Sequence, residues 1–270
     1  MTTKTSRDLN TEKNAELVSR QIPNLNLPYQ AEWNLAKEKK FEETIIFVHH
    51  FGGDKRSVLR HARLLNEMGF DCVRFNLKFN KTEAPHRIPL SGDFKIGLRR
   101  SWSDQIQDLL NLISGKKIIY SFSMPGAAAI QAISQRHAYQ VSGLVCDGGP
   151  FLQVISSTWR LYEKAYKIEN IILRGILTAL SLTMWGTNFK GEMKTYFSLI
   201  PAGFKILSIR SGKDHLVPPS AIDELFRLAE NLNVEVLFLP EADHLEGLKK
   251  FANIYTPRVQ AFLTSIATPI

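Results

Sequence analysis

Short apolar runs and amphipathic stretches alternate along most of this chain. The runs TIIFV, KKIIY and FKILSI are continuous, which is typical of strands buried on both faces of a parallel sheet. Between such runs, stretches like SVLRHARLLNEM place apolar residues three and four positions apart, which predicts helices that bury one face. The helix in SWSDQIQDLLNLI is expected to begin at Ser101 or Ser103, because either hydroxyl can cap it. The alternation predicts an α/β fold with a mostly parallel central sheet and helices on both faces.

Two segments depart from this alternation. Residues 1–25 are polar and lack periodicity, so we expect a peripheral N-terminal arm. Residues 151–202 contain no strand-like run, but they are helical in pattern and rich in aromatic and aliphatic side chains. We therefore expect a core of residues 26–150 and 203–270, with residues 151–202 inserted as a helical cap over the sheet edge.

Composition and charge limit the possible partners. The chain has 270 residues, 44% of them hydrophobic and 22% charged, which is ordinary for a globular protein. Its formal net charge is +8, but lysine and arginine are scattered and accompany no nucleic-acid-binding motif, so we expect no specific nucleic-acid partner. The polar N-terminus lacks the apolar segment of a secretory signal, which predicts a cytoplasmic protein. Cys72 and Cys146 lie in strand-like segments and are expected to be free and buried.

The stretch YSFSMPGAA places Ser123 between a strand-like run and a helical pattern. A serine nucleophile requires such a turn, because the turn holds the hydroxyl out from the backbone at the sheet edge. Ser121 and Pro125 stand two positions to either side; serine is small, and proline suits the first turn of a helix. The N–H of Met124 then remains available to stabilise an oxyanion. Taken alone, however, a serine before a helix is more often only an N-cap.

Three further loops carry the groups that a serine nucleophile needs. The loop HHFGGDK follows the run TIIFV, and the N–H of Phe51 is the expected second oxyanion donor. Asp214 follows FKILSI and His244 follows VEVLFL, so a carboxylate and an imidazole also come directly after strands. Asp147, after another strand, is the alternative acid, although its Gly-Gly-Pro context favours a structural turn.

Four motifs in one order carry a resemblance to a known family. VHHFGG, SFSMPG, SGKDHLVP and DHLEG resemble the oxyanion loop, nucleophile turn, acid loop and histidine loop of the α/β-hydrolases, over roughly residues 40–265. By this resemblance Ser123 is the nucleophile, His244 the general base and then general acid, and Asp214 the carboxylate that orients the imidazole.

The resemblance extends to the surroundings of the serine. It implies that the backbone N–H groups of Phe51 and Met124 form the oxyanion hole, and that residues 151–202 are a cap that shapes the substrate pocket. The sequence departs from the family pattern at His50, where glycine is common, and at the two positions flanking the serine turn, where both glycines are replaced.

The expected reaction is hydrolysis of a carboxylic ester with an apolar acyl or alcohol part through an acyl-enzyme, without a cofactor. A thioesterase, an acyltransferase or a peptidase of the same fold, or a noncatalytic binding protein on this scaffold, are the alternatives. No metal site is expected, because the adjacent His49 and His50 point to opposite sides of a strand end and no ligand cluster accompanies them.

Five residues in these loops and in the cap are expected to contact the substrate: His50, Phe122, His215, Trp159 and Trp185. Basic residues outnumber acidic ones within residues 151–202, which allows weak association with an anionic membrane surface.

Overall fold

A computed structural model of the chain describes residues 26–78, 98–135, 140–185 and 188–270. The predicted N-terminal arm, residues 1–25, lies outside the described residues. Within them, seven strands form one sheet in the order β1-β3-β2-β4-β5-β6-β7. The strands are β1 Glu32–Asn34, β2 Thr44–Val48, β3 Asp71–Arg74, β4 Lys117–Phe122, β5 Val141–Asp147, β6 Lys205–Ser211 and β7 Asn233–Leu239.

The sheet is parallel except at one edge. Strand β1 pairs antiparallel with β3, and every other neighbouring pair is parallel. Every residue of β2 and β4 is buried, which is why these strands read as continuous runs rather than as alternating patterns. The predicted mostly parallel sheet is therefore confirmed. Because the carboxyl ends of parallel strands share one edge, the loops after β2, β4, β5, β6 and β7 meet there.

Helices connect the strands. Those of the described residues are α1 Leu59–Met68, α2 Leu98–Leu112, α3 Gly126–Ser134, α4 Val154–Arg160, α5 Ile171–Trp185, α6 Phe189–Leu199, α7 Pro219–Phe226, α8 Gly247–Lys250 and α9 Ala252–Ile266.

The start of α2 differs from the prediction. The helix already includes Leu98, so neither Ser101 nor Ser103 caps it, and the predicted start is wrong. Leu98 and Trp102 are buried in the same layer as Ile106, so the apolar face extends upstream of both serines.

Helices cover both faces of the sheet, as predicted. Along β4, Ile119 faces the layer that contains α2, α3, α6 and α7, whereas Tyr120 faces the layer of α1 and α9. This alternation is the ordinary two-residue period of a strand. Cys72 and Cys146 are free and buried, as predicted, and lie in opposite layers.

The described residues of the predicted cap region, 151–185 and 188–202, contain three α-helices. Helix α4 continues through one π-helical turn, Leu161–Ala165, and α5 packs against both. In contrast, α6 packs against α3 and buries Met193 and Phe197 in the core. We therefore use the name cap for residues 154–185. In the described part of the chain, no helix is both long enough and apolar enough to cross a membrane.

Candidate active site

Ser123 lies in a sharp turn between β4 and α3. Its backbone is left-handed, with a φ of 57°, which is uncommon for a residue with a side chain. The Ser123 N–H donates to the carbonyl of Asp147 at 2.8 Å, and the Gly126 N–H donates to the carbonyl of Ser123 at 3.1 Å. The Ser123 hydroxyl makes no hydrogen bond to any described residue, so it is not an N-cap. This conformation exposes a serine hydroxyl at the end of a strand.

The turn forms without glycine at the positions two residues before and two residues after Ser123. Ser121 is fully buried, and its Oγ donates to the carbonyl of Val145 at 3.0 Å. Pro125 has a φ of −56° at the start of α3, a value that proline favours. The close contact falls instead on Gly126, where a Cβ would lie 2.9 Å from Cδ of Pro150. The glycine requirement is displaced by one position along the chain.

Gly148 and Gly149, after β5, pack against the serine turn and the histidine loop. A Cβ on Gly149 would lie 2.6 Å from the carbonyl carbon of Ser123 and 2.9 Å from its Cα. Gly148 has a φ of 67°, and a Cβ there would lie 3.3 Å from Cε1 of His244. The sequence suggests only a turn at this Gly-Gly-Pro. Its role in seating Ser123 depends on a distant part of the chain and has no local signal.

His244 and Asp214 are hydrogen-bonded to each other. Nδ1 of His244 and Oδ2 of Asp214 lie 2.6 Å apart, and the Asp214 side chain is only 1% exposed. Its Oδ1 accepts the N–H groups of Leu216 and Val217 at 2.9 and 2.7 Å. A carboxylate at Nδ1 favours the tautomer whose Nε2 is free to accept a proton. This Nε2 has no hydrogen-bond partner among the described residues.

Asp147, the alternative acid, makes different contacts. Its buried carboxylate accepts a hydrogen bond from Oη of Tyr255 at 2.6 Å, and that hydroxyl also bonds to the hydroxyl of Tyr120. Burial raises the pKa of Asp147 to about 6, although the Tyr255 hydrogen bond and the nearby His244 oppose the rise. The geometry pairs His244 with Asp214 and leaves Asp147 in a buried network with two tyrosines.

A cavity of about 430 Å³ lies between these loops and the cap. Ser123, His244, Phe51 and Met124 all line it. Neither the Phe51 N–H nor the Met124 N–H donates to a described residue. Most of the remaining lining is apolar, from Phe151, Val154, Leu161, Ala165, Trp185, Leu216, Val217 and Leu245.

Comparisons with solved structures identify the fold. The esterase Pf2001 of Pyrococcus furiosus matches with a TM-score of 0.60 at 16% identity, over 99% of this chain and 96% of that chain. MenH from S. aureus matches with a TM-score of 0.55 at 11% identity, over 87% and 98%. The meta-cleavage product hydrolase CumD of Pseudomonas fluorescens IP01 gives 0.54 at 13% identity, over 87% and 94%. The chain has the α/β-hydrolase fold. No protein-family model and no curated protein sequence matches it.

On this α/β-hydrolase fold, most of the predicted site residues are brought together. The lining of the cavity includes Ser123, His244, Phe51, Met124, His50 and Trp185. Asp214 contacts His244 but is not part of the cavity lining.

Phe122 is not in the cavity lining, although a substrate contact is predicted for it. Its side chain packs in the layer of α1 and α9, with its ring centroid 4.7 Å from that of His61. Strand alternation sends it to the opposite face of the sheet from the cap, which corrects the prediction. Both ring nitrogens of His61 are buried without a hydrogen-bond partner among the described residues, and their removal from water lowers the pKa of His61 to about 3.

His215 and Trp159 also lie outside the lining, which corrects two more predicted substrate contacts. His215 is exposed, and its Nδ1 lies 2.6 Å from Oδ1 of Asp243, which holds the ring in the loop. Trp159 lies under the guanidinium of Arg174, with 5.0 Å between Cζ and the ring centroid. Both side chains therefore have structural contacts instead.

The cap contributes polar lining that the sequence reasoning missed. These residues are Ser157, Thr158, Tyr166 and Ser181. Along residues 154–165, the lining positions are 154, 157, 158, 161 and 165, which is one helical face. This spacing is the signal that identifies the inward face of α4 and its π-helical turn.

Histidines near the cavity have backbone partners. His49 is buried; its Nδ1 contacts the carbonyl of His50 at 2.8 Å, and its Nε2 accepts the Leu77 N–H at 3.0 Å. Burial lowers the pKa of His49. Among the residues that the structure describes, no three His, Cys, Asp or Glu side chains are grouped as metal ligands.

Proposed function

We propose that the protein is a serine hydrolase that cleaves a carboxylic ester with an apolar acyl or alcohol part. The observation that carries the proposal is the left-handed Ser123 turn, which lines the same cavity as His244 with its buried Asp214 partner. The mostly apolar lining supports an apolar substrate, because binding removes the apolar surfaces of both the substrate and the lining from water, which is favourable.

The reaction proceeds through an acyl-enzyme. Nε2 of His244 takes the hydroxyl proton of Ser123 as Oγ attacks the ester carbonyl, and Asp214 stabilises the imidazolium. The oxyanion accepts hydrogen bonds from the N–H groups of Phe51 and Met124. His244 then gives its proton to the leaving alcohol. A water molecule that His244 deprotonates attacks the acyl group, and release of the acid returns the proton to Ser123.

Labelling by a fluorophosphonate tests the proposal, because covalent reaction requires an activated serine. We expect labelling at Ser123, and Ser123→Ala should lose both labelling and the hydrolysis of short p-nitrophenyl esters while it stays folded. Ser156→Ala is the matched control, since this serine lies outside the cavity lining and bonds to the carbonyl of Gln153. Turnover retained by Ser123→Ala would refute the proposal.

Competing substrates define the bond that is cleaved. We expect an ester to be turned over faster than the matched thioester or amide, and water rather than an added alcohol to accept the acyl group. A preference for the thioester, the amide or the added alcohol would indicate a thioesterase, a peptidase or an acyltransferase, respectively. Absence of labelling and turnover would indicate a binding protein.

A further inference from the structure

Helix α5 of the cap turns three polar side chains inward together with Trp185, and turns several aliphatic side chains outward. Arg174, Thr178 and Ser181 are buried at spacings of four and three residues, and Ser181 lines the cavity. On the other side, Ile172 is 72% exposed and Ile176 is 53% exposed. An ordinary surface helix instead keeps its aliphatic side chains on the face toward the core.

Specific polar contacts hold the inward face in place. The Arg174 guanidinium bonds to Glu163 at 2.7 Å and to the carbonyl of Ile168 at 2.7 Å. The Ser181 hydroxyl lies 2.8 Å from that of Tyr162. The side chain of Asn170 caps the start of the helix by accepting the N–H groups of Ile172 and Leu173 at 3.0 Å. These contacts orient α5 without burying its aliphatic side chains.

Four exposed aliphatic side chains of α5 fall within an arc of about 100° at helical spacing, and we call them the outer face: Ile172, Leu173, Ile176 and Leu180. Contiguous apolar surface of this kind on a folded protein marks an interaction site. The outer face belongs to the cap, whose Tyr166 both lines the cavity and is half exposed.

The charges of the cap and of the helix that follows it indicate its partner. Four exposed lysines in residues 154–199 have no carboxylate partner among the described residues: Lys164, Lys167, Lys190 and Lys194. Glu169 is the one exposed carboxylate of the same described stretch that forms no ion pair with a described residue. Lys164 and Lys167 lie in the π-helical turn and the connection that lead into α5. An exposed apolar face on a segment with unpaired lysines is suited to a lipid surface with negative headgroups. A second copy of the chain would bring like charges together.

We propose that the outer face of α5, with Lys164 and Lys167, docks the protein on an anionic lipid surface. The aliphatic side chains enter the boundary between headgroups and acyl chains, and the lysines contact the headgroup phosphates. Docking does not depend on the chemistry at Ser123. It places the cap and the cavity beneath it beside lipid, which is a source of apolar esters if the proposed hydrolysis also holds.

Vesicle co-sedimentation of Ser123→Ala protein tests docking apart from hydrolysis. We expect binding to vesicles of equimolar phosphatidylcholine and phosphatidylglycerol, weaker binding to phosphatidylcholine alone, and a decrease with added salt. Ile172→Glu with Ile176→Glu should weaken binding at least about tenfold, because two aliphatic side chains no longer enter the lipid and two negative charges now face the anionic headgroups. Lys164→Gln with Lys167→Gln should weaken binding to the anionic vesicles by up to about 30-fold.

Ile254→Glu is the matched control for the aliphatic variant. Ile254 is 45% exposed on the surface of α9, outside the cap. Substitution by glutamate at this position should leave vesicle binding unchanged. Circular dichroism checks that all variants are folded. Equal vesicle binding by Ile172→Glu/Ile176→Glu and its parent would overturn the proposal. A dimer in size-exclusion chromatography that this variant dissociates, without vesicle binding, would also overturn it in favour of a second copy.

Discussion

Replacing Asp147 with asparagine removes a carboxyl group that the fold buries beside the Asp214–His244 pair. The amide is close in size to the carboxyl group, and its oxygen can still accept the hydrogen bond from Tyr255. The substitution therefore leaves packing nearly unchanged and removes the ability to titrate. Its effect on the free energy of unfolding should depend on pH.

The size of the effect follows from the shift in pKa. Burial raises the pKa of Asp147 to about 6, from an ordinary value of 3.8. One pKa unit corresponds to about 1.4 kcal/mol. The contribution of Asp147 to the free energy of unfolding should therefore change by roughly 3 kcal/mol across its titration. The folded chain binds this proton more tightly than the unfolded chain does. The contribution of Asp147 to stability is therefore fully present below its ordinary pKa and is lost as the pH rises through about 6.

Urea denaturation at a series of pH values measures this directly. Between about pH 4 and pH 7.5, the free energy of unfolding of Asp147→Asn should rise by 2 to 3 kcal/mol relative to that of the unmodified protein. Subtracting the two curves cancels the groups that both proteins share. In the protein that keeps Asp147, Tyr255→Phe should raise the pKa of Asp147 further, because it removes a hydrogen bond to the carboxylate. The loss of stability with rising pH should then be larger. A difference between the curves that stays constant over this range would refute the reasoning.

Three further changes test the site. Gly149→Ala should destabilise the fold by about 1–3 kcal/mol and lower kcat roughly 10²-fold, because its Cβ would contact the Ser123 backbone. Gly175→Ala is the control and should have neither effect, because no atom lies within 4 Å of the Cβ position there. Asp214→Asn should lower kcat by about 10³–10⁴-fold, measured with p-nitrophenyl esters, because the imidazolium loses its partner; a small loss would contradict the pairing with His244. Trp185→Ala should raise kcat/KM for long acyl esters relative to short ones, because Trp185 lines both the cavity and a second cavity of about 290 Å³, so its removal should add space for a longer chain; an unchanged ratio would exclude this role.

The sequence predicts most of the fold and the order of the site residues. Continuous apolar runs and helical spacing are local properties, so the strands, the helices and their parallel arrangement could be predicted. A parallel sheet brings strand ends to one edge, so the proximity of Ser123, Asp214 and His244 could also be predicted from their positions after strands.

Which of these residues contact each other depends on the tertiary structure. The local context of Asp147 and Asp214 is similar, and only the folded chain shows that the first bonds to Tyr255 and the second to His244. The fit of Gly149 against Ser123 joins segments from two strands, and no local pattern encodes it.

The orientation of α5 also depends on the folded chain. Its sequence has both polar and aliphatic positions at helical spacing, and burial of Arg174 beside Glu163 and Trp159 decides which face turns inward. A hydrophobic pattern by itself predicts the opposite orientation, because it assumes that the apolar side faces the core. The sequence alone therefore determined the elements and their order. The tertiary structure decided the partners and the faces, because these depend on distances between residues that are far apart along the chain.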